Sequence, residues 1–235
     1  MNWFTKTANA IVWSGEIINR PGKERVAAQI AARVQDGHII GVGSGSTVFL
    51  ALQAIAERTK NGRCLITAIP TSYEISLTCA ALRIPTTTLV DAKPDWSFDG
   101  ADEVDPKGNA IKGRGGAMFK EKLLISSSSH NILVVDNTKL VSNLGQNFPV
   151  PIEVYPLALH LVEERLTAFG TTEVALRLAK AKDGPVITEA GNLILDVRFK
   201  HIDPGLDKEI KLIPGVIESG LFMDYDFEII TPDHE

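Results

Sequence analysis

Apolar residues in the first half of the chain recur with two alternating periods. Across residues 21–34 they return every three or four positions, which is the spacing of an amphipathic helix. A short apolar run at 38–42 then predicts a strand, and helical spacing resumes after a glycine-rich loop and continues to the Asn61-Gly62 break. The same alternation predicts further strands at 64–69, 86–90, 96–98 and 132–135, and helices at 73–82 and 117–125.

The second half of the chain shows a different order of elements. After the segment Phe148-Pro149-Val150-Pro151, the patterns predict strands ending at 155 and at 192–199, helices at 157–169 and 206–212, and a last strand at 226–230 that returns to the first sheet. Strands that alternate with helices imply a parallel sheet covered on both faces. We therefore predict an α/β fold with a Rossmann-like parallel-sheet domain (1–145 plus 221–235) and a smaller α+β (ferredoxin-like) domain (146–220).

Composition indicates a folded protein that does not depend on nucleic acid or membrane. Apolar residues make up 44% and charged residues 23% of the 235 positions, and the formal net charge is −5, so a basic face for a phosphate backbone is not expected. No apolar run reaches the length of a membrane span, and no secretory leader is recognisable. Cys64 and Cys79 fit buried, reduced thiols, which favours a cytoplasmic location.

The first candidate site is the glycine-rich loop Gly41 to Thr47, between a predicted strand and a predicted helix. Glycines let backbone N–H groups close around an anion at a helix N-terminus, and the hydroxyls of Ser44, Ser46 and Thr47 add donors. The loop is neither a dinucleotide fingerprint nor a P-loop, so a sugar phosphate suits it better than NAD or ATP. The same residues also fit a tight turn in which Ser46 is only the helix N-cap.

The second candidate is the acidic run Asp99-Gly100-Ala101-Asp102-Glu103 at the end of a predicted strand. Ligands of open α/β sheets bind outside the carboxyl ends of strands. Carboxylates so close together should raise the pKa of at least one of them, which suits a proton-transfer group. A solvated acidic loop is the alternative interpretation.

The third candidate is the loop Lys112-Gly113-Arg114-Gly115-Gly116, which leads into a helix bearing Lys120-Glu121-Lys122. A turn at 105–109 should bring Lys112 back beside the acidic run, so that a cation faces the carboxylates. The Lys-Glu-Lys triplet alone also fits a solvated helix face.

The fourth candidate is Asp136-Asn137-Thr138-Lys139, which follows another predicted strand. Lys139 is placed to reach a phosphate, although an ordinary helix N-cap with a surface lysine fits equally well. The five histidines show no ligand spacing and do not cluster with cysteine, so no metal or other cofactor is expected.

These motifs, in this order, resemble the A-type ribose-5-phosphate isomerases from about residue 22 to residue 222. The resemblance rests on five segments: GVGSGST, DGADEVD, KGRGGAMFKEK, DNTK and PGVIESGLF. It implies an aldose–ketose isomerase that forms a homodimer or homotetramer in which the small domain makes subunit contacts.

The resemblance also assigns residue roles. Glu121 is implied as the base that moves a proton between C1 and C2, Asp99 as the group that handles ring opening and hydroxyl protons, and Lys112 as the cation that steadies the enediolate. The implied contacts to a sugar phosphate are Ser44, Gly45, Ser46, Thr47, Gly100, Ala101, Asp102, Gly113, Arg114, Gly115 and Lys139. Lys23 aligns with a basic residue near the phosphate.

Three departures and two alternatives remain open at this stage. Arg114 stands where the family often has glycine, Ser44 replaces a more usual threonine, and residues 1–20 extend beyond the usual start. A non-catalytic sugar-phosphate sensor would share the fold, but no helix-turn-helix extension is visible. A related CoA-transferase-like enzyme would instead use Glu121 as a covalent nucleophile.

Overall fold

The computed structural model describes residue 13, residues 16–60 and residues 64–232, which form two compact units. Of the described residues, the first unit contains 13, 16–60, 64–100, 123–137 and 227–232, and the second contains 101–122 and 138–226. The predicted Asn61-Gly62 break and most of the N-terminal extension lie outside the described residues. The predicted domain boundaries at 146 and 220 stay a prediction.

The first unit is built on a five-stranded parallel sheet. Its strands are β1 (Ile39–Val42), β2 (Thr67–Pro70), β3 (Trp96–Asp99), β6 (Asn131–Val134) and β12 (Phe227–Ile230), in the spatial order β12-β6-β3-β1-β2. Neighbouring strands are parallel throughout, and the expected return of the last strand beside β6 is confirmed.

Helices of the first unit follow the predicted pattern closely. They are α1 (Arg20–Arg33), α2 (Ser46–Thr59) and α3 (Tyr73–Leu82), and α4 (Met118–Ser127) begins in the second unit and ends in the first. Side chains from α1, α2 and the strands form one apolar core that includes the fully buried Ile30, Ile40 and Leu52. Periodicity found these helices because their buried faces are continuous.

The predicted strand at 86–90 is wrong. Only Thr86 makes a bridge, to Ala68, while the following residues form a turn in which the Thr88 hydroxyl donates to Asp91. Val90 is 94% exposed, so its β-branched side chain has no sheet face to cover. A run of strand-favouring residues therefore turns away after one contact with the edge strand β2.

The second unit contains two antiparallel sheets. The smaller has the order β11-β5-β4, with β4 (Glu103–Val104), β5 (Ala110–Ile111) and β11 (Leu221–Phe222). The turn predicted at 105–109 joins β4 to β5, with the Asp105 N–H donating to the Asn109 carbonyl. This turn reverses the chain after the acidic run, as the sequence predicted.

The larger antiparallel sheet confirms the ferredoxin-like prediction. Its elements are β7 (Val150–Val154), α5 (Leu159–Leu166), β8 (Thr171–Leu176), β9 (Leu193–Phe199), α6 (Leu206–Lys211) and β10 (Val216–Ser219). The spatial order β10-β7-β9-β8 and the βαββαβ sequence define the split βαβ arrangement. Strands β8 and β10 were not predicted.

Candidate active site

The glycine loop of the first unit joins β1 to α2 and packs closely on Asp99. The Gly43 N–H donates to the Phe98 carbonyl at 2.9 Å. A Cβ at position 43 would lie 1.9 Å from the Asp99 carboxylate carbon, so only glycine fits there. The loop backbone and the carboxylate are therefore held in direct contact.

Hydroxyl groups line the same loop. The Ser44 hydroxyl lies 3.1 Å from the Thr71 hydroxyl and donates to the Ser72 hydroxyl at 3.0 Å, while Lys23 donates to the Ser46 hydroxyl at 2.9 Å. The interpretation of Ser46 as an N-cap is wrong, because Gly45 occupies that position and Ser46 begins the helix. The half-buried Ser44 to Thr47 segment at the N-terminus of α2 is thus arranged for an anion.

Asp99 ends β3, as the sequence predicted, and it is buried. One carboxylate oxygen accepts from the Ser44 N–H at 3.0 Å and from the Gly100 N–H at 2.7 Å. These bonds fix the carboxylate in place beside the glycine loop. A buried carboxylate with a fixed orientation can exchange protons with a ligand's hydroxyl groups.

In the second unit, Asp102 faces the lysine-glycine loop. Its carboxylate accepts from the Arg114 N–H at 3.1 Å, and its own N–H donates to the Ile111 carbonyl at 2.8 Å. Burial raises the pKa of Asp102, while the charges of Lys112, Lys139 and Arg114 oppose the rise. The expected elevation of a pKa is thus present, but its cause is burial and not the neighbouring carboxylates.

Glu103 has a structural role that the sequence did not reveal. It is fully buried, and its carboxylate accepts from three backbone N–H groups, those of Gly145, Asn147 and Phe148. The carboxylate fixes the loop that precedes β7. The adjacent Asp102 and Glu103 therefore have different roles. Glu103 is recognised as structural by its contacts with residues about 40 positions away.

Lys112 and Glu121 form a buried ion pair. The Lys112 Nζ lies 3.2 Å from a Glu121 carboxylate oxygen, and both side chains are less than a tenth exposed. Glu121 lies in the first turn of α4, where the helix dipole also favours a negative charge. The alternative of a solvated Lys-Glu-Lys face is wrong for Glu121.

The C-terminal segment 218–222 supports both lysines of this region. The Lys112 N–H donates to the Gly220 carbonyl at 2.9 Å, and the Lys112 ammonium lies 5.5 Å from the centre of the Phe222 ring. The Lys122 ammonium lies 4.7 Å from the same ring and donates to the carboxylate of Glu218 at 2.9 Å. The segment that the sequence identified only by resemblance is thus part of the support of the ion pair.

The remaining candidates differ in their surroundings. Gly113 is buried at φ 113°, a conformation that favours glycine, whereas Arg114 and Gly115 are exposed. Lys139 ends a 3-10 turn at Asn137–Lys139, and its ammonium lies 4.9 Å from the Phe148 ring. Gly100 and Ala101 are half-buried residues of the acidic run.

Thr71 and Ser72 were not predicted as part of the loop environment. They follow β2, a neighbour of β1, so the carboxyl ends of two adjacent strands supply the hydroxyl cluster. That position is the signal that could have identified them.

Within residues 16–60 and 64–232, no group of three or more His, Cys, Asp and Glu side chains could hold a metal ion, and no helix is long and apolar enough to cross a membrane.

The parallel sheet, the anion-accepting loop and the buried carboxylate–lysine pair together define an α/β protein equipped for acid–base chemistry. Residues 67–234 match the family model of ribose 5-phosphate isomerase A, also called phosphoriboisomerase A. Ribose-5-phosphate isomerase A of Thermosynechococcus vestitus is 46% identical over 206 residues, which are 86% of this chain and 87% of that protein. The chain therefore belongs to the ribose 5-phosphate isomerase A family.

Solved structures agree with this assignment. The ribose 5-phosphate isomerase A of Methanocaldococcus jannaschii superposes with a TM-score of 0.85 at 39% identity, over 90% of this chain and 95% of that one. A D-ribose-5-phosphate isomerase in complex with phospho-erythronic acid gives a TM-score of 0.82 at 42% identity, over 88% and 93% of the two chains. The chain is accordingly an aldose–ketose isomerase, and the sensor and transferase alternatives are not favoured.

Proposed function

We propose that this chain interconverts D-ribose 5-phosphate and D-ribulose 5-phosphate through an enediolate, with Glu121 as the base at carbon. The observation that carries the proposal is the buried pair of Lys112 and Glu121, 3.2 Å apart. An ammonium group beside a carboxylate favours the ionised form that a base requires, and it can also stabilise negative charge that develops on a substrate oxygen.

The proton transfers follow from these roles. In the aldose-to-ketose direction Glu121 removes the proton from C2, which leaves negative charge on the C1 oxygen of the enediolate, and the C1 oxygen is then protonated. The C2 oxygen then loses its proton while Glu121 returns a proton to C1. Asp99 is proposed to open the sugar ring and to exchange the oxygen protons, for which its fixed, buried carboxylate is suited.

Phosphate binding is assigned to the glycine loop. Backbone N–H groups at the start of α2 and the hydroxyls of Ser44, Ser46 and Thr47 provide donors, Gly45 allows the backbone to approach, and Lys139 supplies a cation. Lys23, already bonded to Ser46, adds a second positive charge. The relative in complex with phospho-erythronic acid supports a sugar phosphate as the ligand of this family.

The remaining assignments complete the proposal. Contacts to the sugar are assigned to Gly100, Ala101, Asp102, Gly113, Arg114 and Gly115. We further propose a cytoplasmic homodimer or homotetramer with no nucleic-acid partner, in which the domain at 146–220 makes the subunit contacts. The phosphate proposed to bind at the glycine loop would also be favoured by the dipole of the 14-residue helix α2, whose N-terminus follows that loop.

Glu121→Gln tests the assignment of the base. The variant should bind ribose 5-phosphate with nearly unchanged affinity in calorimetry while kcat falls by about 10²-fold or more, because the amide cannot accept the carbon-bound proton. Glu218→Gln is the matched control, since Glu218 also pairs with a lysine of α4, at 2.9 Å from Lys122. Near-normal turnover by Glu121→Gln would refute the assignment, whereas Glu218→Gln should keep kcat per folded molecule.

A further inference from the structure

Arg177, directly after β8, contacts the backbone of the lysine-glycine loop. One of its terminal nitrogens donates to the Gly113 carbonyl at 2.8 Å and to the Arg114 carbonyl at 3.0 Å. The other side of the guanidinium is held by Asp196, which accepts from Nε at 2.8 Å and also from Nη2. Both side chains are mostly buried. The Arg177 guanidinium is therefore held in place by one carboxylate and donates from its remaining nitrogen to two successive backbone carbonyls.

The peptide unit between Gly113 and Arg114 is bonded at both ends. Its carbonyl accepts from Arg177, and its N–H donates to the Asp102 carboxylate at 3.1 Å. Because C=O and N–H of a trans peptide point in opposite directions, this unit lies between a cation and an anion. Arg177 thereby orients the N–H group that holds Asp102, to which we have assigned a substrate contact.

The next peptide unit is oriented in the same way. Arg177 binds the carbonyl of Arg114, so the N–H of Gly115, on the same peptide unit, points away from the guanidinium. Gly115 is exposed, and a Cβ there would meet nothing within 4 Å. The Gly115 N–H therefore lies on the side of its peptide unit that faces away from Arg177, in an exposed part of the loop.

A second contact from the same β8–β9 connection holds the end of the loop. The Glu189 N–H donates to the Gly116 carbonyl at 3.1 Å, and its carboxylate lies 3.6 Å from the Lys120 ammonium on α4. Three of the four carbonyls in residues 113–116 are therefore bonded by the connection between β8 and β9. Within residues 113–116 the Gly116 N–H also donates to the Gly113 carbonyl at 3.1 Å, and three of these four residues are glycines, which have no side chain to fix the loop.

We infer that Arg177 is a positioning residue for the isomerase reaction, which orients the lysine-glycine loop from outside and so sets Asp102, the Gly115 N–H and the adjoining Lys112. The inference rests on the proposed function, because it acts through residues assigned there. The hydrogen bonds of Arg177 to the loop go to backbone carbonyls, and it is not assigned a contact with substrate.

The test compares Arg177→Gln and Arg177→Ala with Arg198→Gln in the full chain. Arg198 belongs to the same pair of strands and also lies near a carboxylate, with its Nε 3.8 Å from Glu173, but both of those side chains are more exposed. Steady-state kinetics with ribose 5-phosphate should show kcat/KM about 10- to 100-fold lower for the Arg177 variants, through a higher KM and a lower kcat, because the loop loses its orientation. Arg198→Gln should match the wild type.

Chemical rescue distinguishes positioning from a purely structural role. Guanidinium ion at millimolar concentration should restore part of the kcat/KM of Arg177→Ala in a saturable manner, while sodium chloride at equal ionic strength should not. Guanidinium is a denaturant and does not favour the folded state, so a variant impaired only in folding would recover no activity under the same conditions. Arg177→Lys keeps the positive charge but lacks the planar guanidinium, so its kcat/KM should lie between those of the wild type and Arg177→Gln.

Two results would overturn the inference: folded Arg177 variants with kcat/KM within about threefold of the wild type, or a loss of activity that guanidinium does not relieve. The Glu121→Gln variant keeps this outcome separate from the proposed function. Turnover by Glu121→Gln would refute the base assignment, whereas an inactive Glu121→Gln beside fully active Arg177 variants would refute the positioning role alone.

Discussion

Gly43→Ala tests the close contact between the glycine loop and Asp99. The added methyl carbon would lie 1.9 Å from the Asp99 carboxylate carbon and 2.0 Å and 2.4 Å from its two oxygens, where real Cβ contacts stay beyond 3.0 Å. The carboxylate must therefore move by about 1 Å, or the loop must shift by a similar distance. Either response removes Asp99 from the position in which Ser44 and Gly100 hold it.

The size of the effect follows from the bonds at stake. The displaced oxygen accepts from the Ser44 N–H at 3.0 Å and from the Gly100 N–H at 2.7 Å. Hydrogen bonds to a charged group contribute about 1.5–3 kcal/mol each, so the loss of both should lower the free energy of unfolding by about 3–6 kcal/mol. A displacement of about 1 Å in a catalytic group typically costs about 10²-fold in rate, which we expect for kcat/KM.

Initial rates of ketose formation from ribose 5-phosphate, together with urea unfolding, provide the assay. Gly41→Ala is the matched control, because the three atoms nearest to its methyl would belong to Ser97, at 2.7 Å, and Leu124, at 2.9 Å, and not to Asp99. That variant should lose stability and keep kcat/KM per folded molecule. A folded Gly43→Ala variant with wild-type kcat/KM would refute the role given to Asp99.

Three further predictions concern buried groups that titrate or accept hydrogen bonds. Asp102→Asn should raise KM but leave the free energy of unfolding at pH 7 equal to or above that of the wild type, because burial raises the pKa of Asp102 and makes its ionised form costly. The greater stability of the variant should disappear as the pH falls toward 3.8, where the wild-type carboxyl group is protonated. A variant less stable than the wild type at pH 7 would contradict the reasoning. Glu103→Gln should lower the free energy of unfolding by about 2–4 kcal/mol in urea titrations while kcat of the folded protein is retained, since Glu103 accepts three backbone N–H bonds; an inactive variant of normal stability would count against this structural role. Burial raises the pKa of Cys79 from 9.0 to about 12, so the thiol loses its proton in the unfolded state before it does so in the folded state. As the pH rises from 9.0 to about 12, the free energy of unfolding of the wild type should therefore fall more steeply than that of Cys79→Ala, by up to about 1.4 kcal/mol per pH unit. Equal slopes for the two proteins would refute this prediction.

The fold was predictable where burial is continuous along an element. Helices α1 to α3 carry apolar residues at helical spacing and the central strands carry short apolar runs, and their predicted positions agree with the structure to within a few residues. Strand β8 escaped detection because residues 171–176 are only partly buried, which leaves little apolar periodicity. The prediction of a strand at 86–90 was wrong because its β-branched residues favour a strand in sequence but have no sheet face to cover in the fold.

The site was predictable where adjacent motifs carry its residues. The turn before β5 returns Lys112 toward Asp102 as expected, and the first turn of α4 carries Glu121. The contacts of Arg177 with the lysine-glycine loop were not predictable, because they join residues more than 60 positions apart and rest on backbone carbonyls. Patterns along the chain reveal which groups could act, but not which distant side chain holds them.

Solvent isotope exchange tests the central role of Glu121 most directly. Wild-type protein and the Glu121→Gln variant are incubated with ribose 5-phosphate in deuterated water, and the sugar is analysed by NMR for ketose and for deuterium at C1 and C2. Proton transfer through Glu121 predicts that the wild type forms ketose and incorporates deuterium at the exchanging carbon, and that the variant binds the sugar without conversion or exchange. Conversion or exchange that persists in Glu121→Gln at a rate near that of the wild type would contradict the account.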